Sequence, residues 1–350
     1  MNANLDARAG ILAGGNWIVD KLKFVDTYPQ QDALANIQFE STSNGGSPFN
    51  VLVDLARLGA PFPLAGVGLI GPDADGEWIS RQCAAHRINT EQLRIHPLAH
   101  TSYTDVMVVQ STGRRTFFHQ RGANAALDNE HFDFTSHPAK IFHLGYLLLL
   151  DRLDGPDPEF GTVAARTLQR ARAAGCLTSI DLVSEDSQRF RRIVLPALPY
   201  VDFCILNEFE LGRTTGIETR RTSGMDLAAL QAAAQQLLNA GVGKWVIVHF
   251  PEGGCALGHD GRLRVQGSLN IPQSEIVSTV GAGDAFAAGI LYGLHEGIPV
   301  ETALGYGVCA AASCLGGAGT SDGIRPLNGC LELGKKFGLR SLVQCSPPVF

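Results

Sequence analysis

Short apolar runs alternate with helix-spaced apolar positions along most of the chain. Ile11-Leu12-Ala13-Gly14-Gly15 reads as a first strand, and Ala139 to Gly145 as another, fully buried one. A helix is expected from about Glu159 to Ala174, a strand over Cys176 to Leu182, a helix around Ser187 to Leu198 and a strand over Val201 to Leu206. Leu227, Leu230, Ala234, Leu237 and Leu238 share one face of a further helix that Gly241 ends, and Trp245 to His249 returns as a strand. Strand–helix–strand alternation with short connections predicts an α/β fold, with parallel strands covered by helices on both faces.

Two stretches break the rhythm. Asp20 to Glu40 and Thr101 to Gln120 look like exposed, alternating strands. Thr104 to Val109, a polar tip over Ser111 to Arg115, and Thr116-Phe117-Phe118 read as a hairpin. Such strands form either ordinary edge hairpins or a small sheet that covers a site and excludes water from it. After Pro326, Asn328 to Phe350 reads as a terminal helix and a loose tail.

Composition narrows the classes. With 45% hydrophobic and 18% charged residues the chain has an ordinary globular balance. A net charge of -6 argues against a general nucleic-acid binder. It leaves room for a small anion held by backbone amides at a helix start. Met1 to Arg8 lacks the apolar core of a secretory signal, and no apolar run is long enough to span a bilayer. The eight cysteines form no Cys-x-x-Cys pair, which fits free thiols in a cytoplasmic protein.

The glycine runs carry the candidate chemistry. Gly66-Val67-Gly68-Leu69-Ile70-Gly71 matches a dinucleotide fingerprint, but Pro72 and Asp73 follow it, so the glycines do not open a helix. Gly281-Ala282-Gly283-Asp284 does open one, after the strand-like approach Glu275-Ile276-Val277. Small residues there let amides approach an anion. A carboxylate at that point either caps the helix or takes a proton from a hydroxyl while the amides hold a phosphoryl group. Gly45-Gly46-Ser47-Pro48-Phe49-Asn50 opens another helix, closed by Gly59; it presents groups to sugar hydroxyls or is a turn with Ser47 as cap. Asn207 and Glu210 follow a strand end and suit either outer contacts to hydrated Mg²⁺ or a capping box. Asp20, beyond the first strand, accepts substrate hydroxyls or is a solvated turn residue.

Taken in order, Gly15 to Asp20, Gly45 to Asn50, Asn207 to Glu210 and Thr279-Val280-Gly281-Ala282-Gly283-Asp284 resemble the PfkB (ribokinase-like) carbohydrate and nucleoside kinases. The similarity runs from about residue 10 to 327, with lid strands near 18–41 and 101–121 inserted in the core and 328–350 left as helix and tail. The resemblance implies a doubly wound, mostly parallel sheet flanked by helices, with a small β-sheet lid. It implies ATP as phosphoryl donor, Asp284 as base, and Gly281, Ala282 and Gly283 as the anion hole. Asp20, Gly45, Gly46 and Asn50 would hold the acceptor; Asn207, Glu210, Thr279, Gly254 and Gly317 would meet the nucleotide; Asn207 and Glu210 would organise Mg²⁺.

The resemblance leaves K⁺ activation and a homodimer paired through the lid strands as options. Ser278 stands where the family has an Asp, Ile18 where ribokinases have Asn, and His249 to Gly254 where a Gly-x-x-Gly turn is usual. The expected activity is phosphoryl transfer to a small sugar. The alternatives are a nucleoside kinase, a non-catalytic binder on the same fold and, more distantly, an oxidoreductase suggested by Gly66 to Gly71.

Overall fold

The computed structural model describes residues 8–136, 138–222 and 224–342. In chain order the elements are β1 (Ile11–Gly15), β2 (Ile18–Val25), β3 (Ile37–Gly45), α1 (Ser47–Leu58), β4 (Leu64–Ile70), α2 (Ala74–Ala85), β5 (Asn89–Ile95), β6 (Ser102–Val109) and β7 (Arg115–Gln120). There follow β8 (Ile141–Leu147), the short β9 (Pro156–Asp157) and β10 (Gly161–Thr162), α3 (Val163–Ala173), β11 (Leu177–Leu182), α4 (Phe190–Ala197), β12 (Phe203–Asn207) and α5 (Glu208–Thr215). The rest comprises β13 (Arg220–Arg221), β14 (Gly224–Met225), α6 (Leu227–Asn239), β15 (Trp245–Phe250), β16 (Gly253–Gly258), β17 (Leu263–Gly267), α7 (Ala282–His295), α8 (Val300–Cys314) and α9 (Leu327–Phe337).

Nine strands form the central sheet in the order β17-β16-β15-β12-β11-β8-β1-β4-β5. Strands β15 to β5 in that order pair in parallel, and β16 and β17 add an antiparallel edge. Side-chain alternation along each strand divides the core in two. Leu12, Phe142, Leu144, Ile180 and Leu206 pack with α3, α4 and α6 on one face. Ile11, Ala13, Ile141, Ile205 and Ile247 pack with α1, α7 and α8 on the other.

A separate sheet, β3-β2-β6-β7, supplies the lid predicted from the broken alternation. The chain passes from this lid into α1 through Gly46, whose φ of 81° and closeness to the Asn16 carbonyl exclude a side chain. An added Cβ there would stand 2.1 Å from that oxygen.

Some local readings are corrected. Glu275 to Val277 form no strand; a 3₁₀ turn spans Gln273–Glu275, and Val277 N–H bonds the Leu315 carbonyl at the end of α8. The helix expected from Glu159 begins at Val163, because residues 156–162 make a small hairpin and Thr162 supplies the cap. Ser47 does not cap α1; its hydroxyl meets His143 Nε2 at 2.8 Å. The terminal helix ends at Phe337, and residues 343–350 of the expected tail lie outside the described residues.

Asp54 in α1 is fully buried, and among the described residues neither carboxylate oxygen has a well-formed hydrogen-bond partner, although Ser321 and Arg57 stand near enough to offset part of the effect of burial. Burial pushes its carboxyl well above the ordinary 3.8, which favours the neutral acid. A group with a raised folded pKa loses stability as pH climbs from its unfolded value. Asp54→Asn is therefore expected to stabilise the fold by about 1–3 kcal/mol at neutral pH. Melting curves should show that advantage shrinking as the pH is lowered towards 4.

Candidate active site

The C-terminal ends of the parallel strands converge under the lid, where open α/β sheets place ligands. A cavity of about 400 Å³ lies there. Its lining includes Tyr146 at the end of β8, Asp181 near the end of β11, Asn207 at the end of β12 and His249 in β15. Gly46 and Asn50 from α1, and Gly281, Gly283 and Asp284 from α7, complete its floor.

Asp284 occupies the first turn of α7 without capping it. Its Oδ2 accepts the Asn50 amide at 2.8 Å, and the Tyr146 hydroxyl donates to Oδ1 and Oδ2 at 2.7 and 2.8 Å. Asn50 is oriented in turn by Asn44, whose amide reaches Asn50 Oδ1 at 2.7 Å and Ser321 at 2.8 Å. Burial raises the Asp284 pKa to about 6, and the bonds from Asn50 and Tyr146 hold it from rising further. Such a carboxylate is ionised at neutral pH and still basic enough to take a proton.

The first N–H groups of α7 have no partner within the helix and carry the positive end of its dipole. Gly281, with φ 77°, turns the chain tightly against Thr320, whose carbonyl would stand 2.2 Å from an added Cβ. Ser278 Oγ accepts the Val280 N–H at 3.2 Å, so the loop before α7 is fastened without an acidic side chain at 278.

The lid covers this floor with one face of its alternating strands. Asp20 in β2 pairs with Thr104 in β6, and Thr104 pairs with His119 in β7. Two-residue spacing then puts Phe117 and Arg115 on the same face of β7 as His119, and all three line the cavity. Burial lifts the Asp20 carboxyl to about 7, against a hydrogen bond from Thr104, with the charge of Asp284 adding to the rise. Burial likewise lowers His119 to about 4, so this imidazole is neutral near pH 7.

Arg115 is the one Lys or Arg lining the first cavity among the described residues. Its guanidinium donates to Thr279 Oγ1 at 2.8 Å and also borders a second cavity of about 640 Å³. This second space adjoins the first through Gly283, His249, Asn207 and Thr279. Its walls are largely apolar, with Ile271, Phe286, Val308, Ala311 and Leu315 suited to a flat ring system.

Asn207 and Glu210 line the first cavity and also form the capping box of α5, so the two sequence readings meet in one arrangement. Glu210 accepts the Ser184 hydroxyl at 2.8 Å and the Asn207 N–H at 2.9 Å. Burial raises its carboxyl, as it raises that of neighbouring Asp181.

Of the expected residues, Asp20, Gly46, Asn50, Asn207, Glu210, Thr279, Gly281, Gly283 and Asp284 line the first cavity, and Ala282 lines the second. Gly45 stands behind Asp20, 2.4 Å from its Oδ1 to an added Cβ. Gly254 and Gly317 line neither cavity; Gly254 packs on the Phe286 ring and Gly317 on the backbone of Gly323, while Gly253 faces the second cavity instead. Sequence reading missed Tyr146, Asp181, Arg115 and His249. The rule that ligands gather at strand C-termini would have found three of them, and the alternation of the lid hairpin the fourth.

The chain matches the family described as pfkB family carbohydrate kinase over residues 18–326. It is 26% identical to a ribokinase of Arabidopsis thaliana over 296 residues, covering 83% of this chain and 72% of the relative. It is 31% identical to a fructokinase of Klebsiella pneumoniae over 294 residues, covering 80% of this chain and 86% of the relative. Its fold resembles the structure of Arabidopsis thaliana ribokinase complexed with ribose and ATP, with a TM-score of 0.74 and 22% identity, covering 93% of this chain and 98% of the other.

Proposed function

Because the chain belongs to the PfkB family of carbohydrate kinases, we propose that it transfers the γ-phosphoryl group of ATP to a hydroxyl of a small sugar through Asp284. The observation that carries this reading is the pair of adjoining cavities with the start of α7 between them. The acceptor lies under the lid, its hydroxyls bonded by Asp20 and Asn50. The nucleotide lies in the apolar space, its phosphates directed at the α7 amides. Asp284 takes the acceptor proton as the new P–O bond forms and the bond from the γ-phosphorus to the ADP oxygen breaks. Gly281, Ala282 and Gly283 hold the charge on the transferred group, joined by Arg115 from the lid.

The donor set fits Mg²⁺: Asn207, Glu210 and Asp181 offer hard oxygen atoms beside the cavity. The Glu210 oxygens already accept protein hydrogen bonds, which supports a hold through the ion's water ligands. When bound, Mg²⁺ neutralises phosphate charge. Ser278 offers K⁺ no carboxylate, only a neutral hydroxyl already engaged with Val280.

A panel of sugars, sugar acids and nucleosides in a coupled ADP-release assay tests the proposal. Turnover is expected with an uncharged sugar, because Asp20, Asp181 and Asp284 face the acceptor space, His119 is neutral and Arg115 is engaged with Thr279 beside the transferred group. Turnover on nucleosides alone would replace the sugar by a nucleoside as acceptor, and a failure of every acceptor in the panel to stimulate ADP release would remove the reading.

A further inference from the structure

One contact in the site serves no step described above. The Tyr146 hydroxyl lies nearly equidistant from the two oxygens of Asp284, at 2.7 and 2.8 Å. A donor so placed sits on the inward side of the carboxylate, facing the lone pairs of both oxygens at once. Asn50 takes a further position on Oδ2. An ionised carboxylate has about four acceptor positions. The inward ones are those at which a carboxylic acid carries its proton. The outward position on Oδ1 is left open, but the inward positions are the more basic, and an acceptor hydroxyl gives its proton to Asp284 most readily where the phenol now stands.

We infer that Tyr146 is a gate on the base: its phenol fills the position of the acceptor hydroxyl on Asp284, and the acceptor must displace it before transfer begins. This inference rests on the proposed kinase chemistry. The anchoring of Tyr146 suits such a part. Its backbone N–H is held by Asn16 Oδ1 at 2.5 Å, while its half-buried side chain borders the acceptor cavity. Displacing the phenol therefore needs only rotation of the side chain, with the backbone fixed. Nor can the phenol act as a base in place of Asp284. Burial, reinforced by the charges of Asp284, Asp181 and Asp20, keeps it protonated.

The gate answers a hazard that any kinase of this kind faces. With ATP in place and Asp284 uncovered, water can be the nucleophile. Its oxygen would bond to the γ-phosphorus, the bond to ADP would break, and Asp284 would take the water proton, giving ADP and inorganic phosphate. A phenol on the base denies water that position. A sugar brings several hydroxyls to bear and can displace the phenol; a single water brings one.

Tyr146→Phe tests the inference, since it keeps the ring and removes only the hydroxyl. ADP and phosphate release without acceptor are measured beside acceptor kinetics, with melting curves to verify the fold. Losing one hydrogen bond to a charged group corresponds to about tenfold. The acceptor-independent rate should rise by about that factor or more, and acceptor KM should fall. Adding Asp284→Asn to Tyr146→Phe should return the hydrolysis to background, which ties it to the uncovered base. A Tyr146→Phe hydrolysis rate at the wild-type level would overturn the gate, whether or not kcat falls. The two proposals fail in different ways. A wild-type protein that transfers phosphate to no acceptor removes the kinase reading and the gate with it; a working kinase without the rise removes only the gate.

Discussion

Asp284→Asn is expected to lower kcat by about 10²–10⁴-fold while leaving acceptor and ATP binding nearly unchanged. The amide keeps an oxygen for the Asn50 donor and nearly the same volume, so the floor of the cavity survives. What it lacks is a lone pair basic enough to take the hydroxyl proton. Titration calorimetry with each ligand, beside steady-state kinetics, separates the two effects. A variant with near-normal turnover would exclude Asp284 as the base.

The same substitution should make the protein more stable. Asp284 has a folded pKa of about 6 against an ordinary 3.8. A carboxylate with a raised folded pKa costs stability once pH exceeds its unfolded value, and the full cost is present above the folded value. Asp284→Asn should thus melt above wild type at pH 8, by up to about 3 kcal/mol, and the gap should close towards pH 4. In wild type, kcat/KM should fall as pH drops through about 6, because the base is then protonated. Lower activity with higher stability is the mark of a group placed for chemistry rather than for folding.

Arg115→Ala should reduce kcat by about 10³-fold, the scale of other arginines that stabilise a transferring phosphoryl group. The guanidinium borders both cavities and is tied to Thr279, two residues before Gly281. No other Lys or Arg among the described residues lines the acceptor cavity. Without Arg115, no protein cation stands beside the amides of α7 to meet charge building on the transferred group. Arg115→Lys should restore only part of the rate, because a point charge cannot reproduce the planar fork. Acceptor binding should change little in either variant, and a loss confined to acceptor KM would reassign Arg115 to acceptor recognition.

Much of this arrangement is legible in the amino-acid sequence. The apolar runs that became β8, β11, β12 and β15 have the near-continuous hydrophobicity of strands covered on both faces. Asp284 and Asn50 could be read because each follows glycines that open a helix, a local and therefore sequential signal. Tyr146 could not be read in that way. An aromatic residue at the end of an apolar strand looks like core, and only the tertiary approach of α7 turns its hydroxyl into a partner of Asp284. Arg115 sits at a polar hairpin tip, where a solvated charge is the ordinary outcome. The misreading of Glu275 to Val277 has a similar origin. Ile276 and Val277 favour strands by shape, but their backbone finds its partner at the end of α8 instead of a sheet edge. Gly317 stood out as a motif glycine, yet it serves the close packing of its own loop.

The side chains over the acceptor space, Asp20, Thr104, Phe117 and His119, all stand at alternate positions of lid strands. The groups assigned to transfer, apart from Arg115, stand at helix starts in the other layer of the molecule. Apart from Asn44, which orients Asn50, and Arg115, the lid can therefore change in sequence without disturbing the helix starts. A strand surface accepts exchanges of one residue in two without refolding, so new acceptors can be tried by mutation while the phosphoryl-handling half stays as it is. Proteins built on this plan would be expected to differ most along the inner face of the lid.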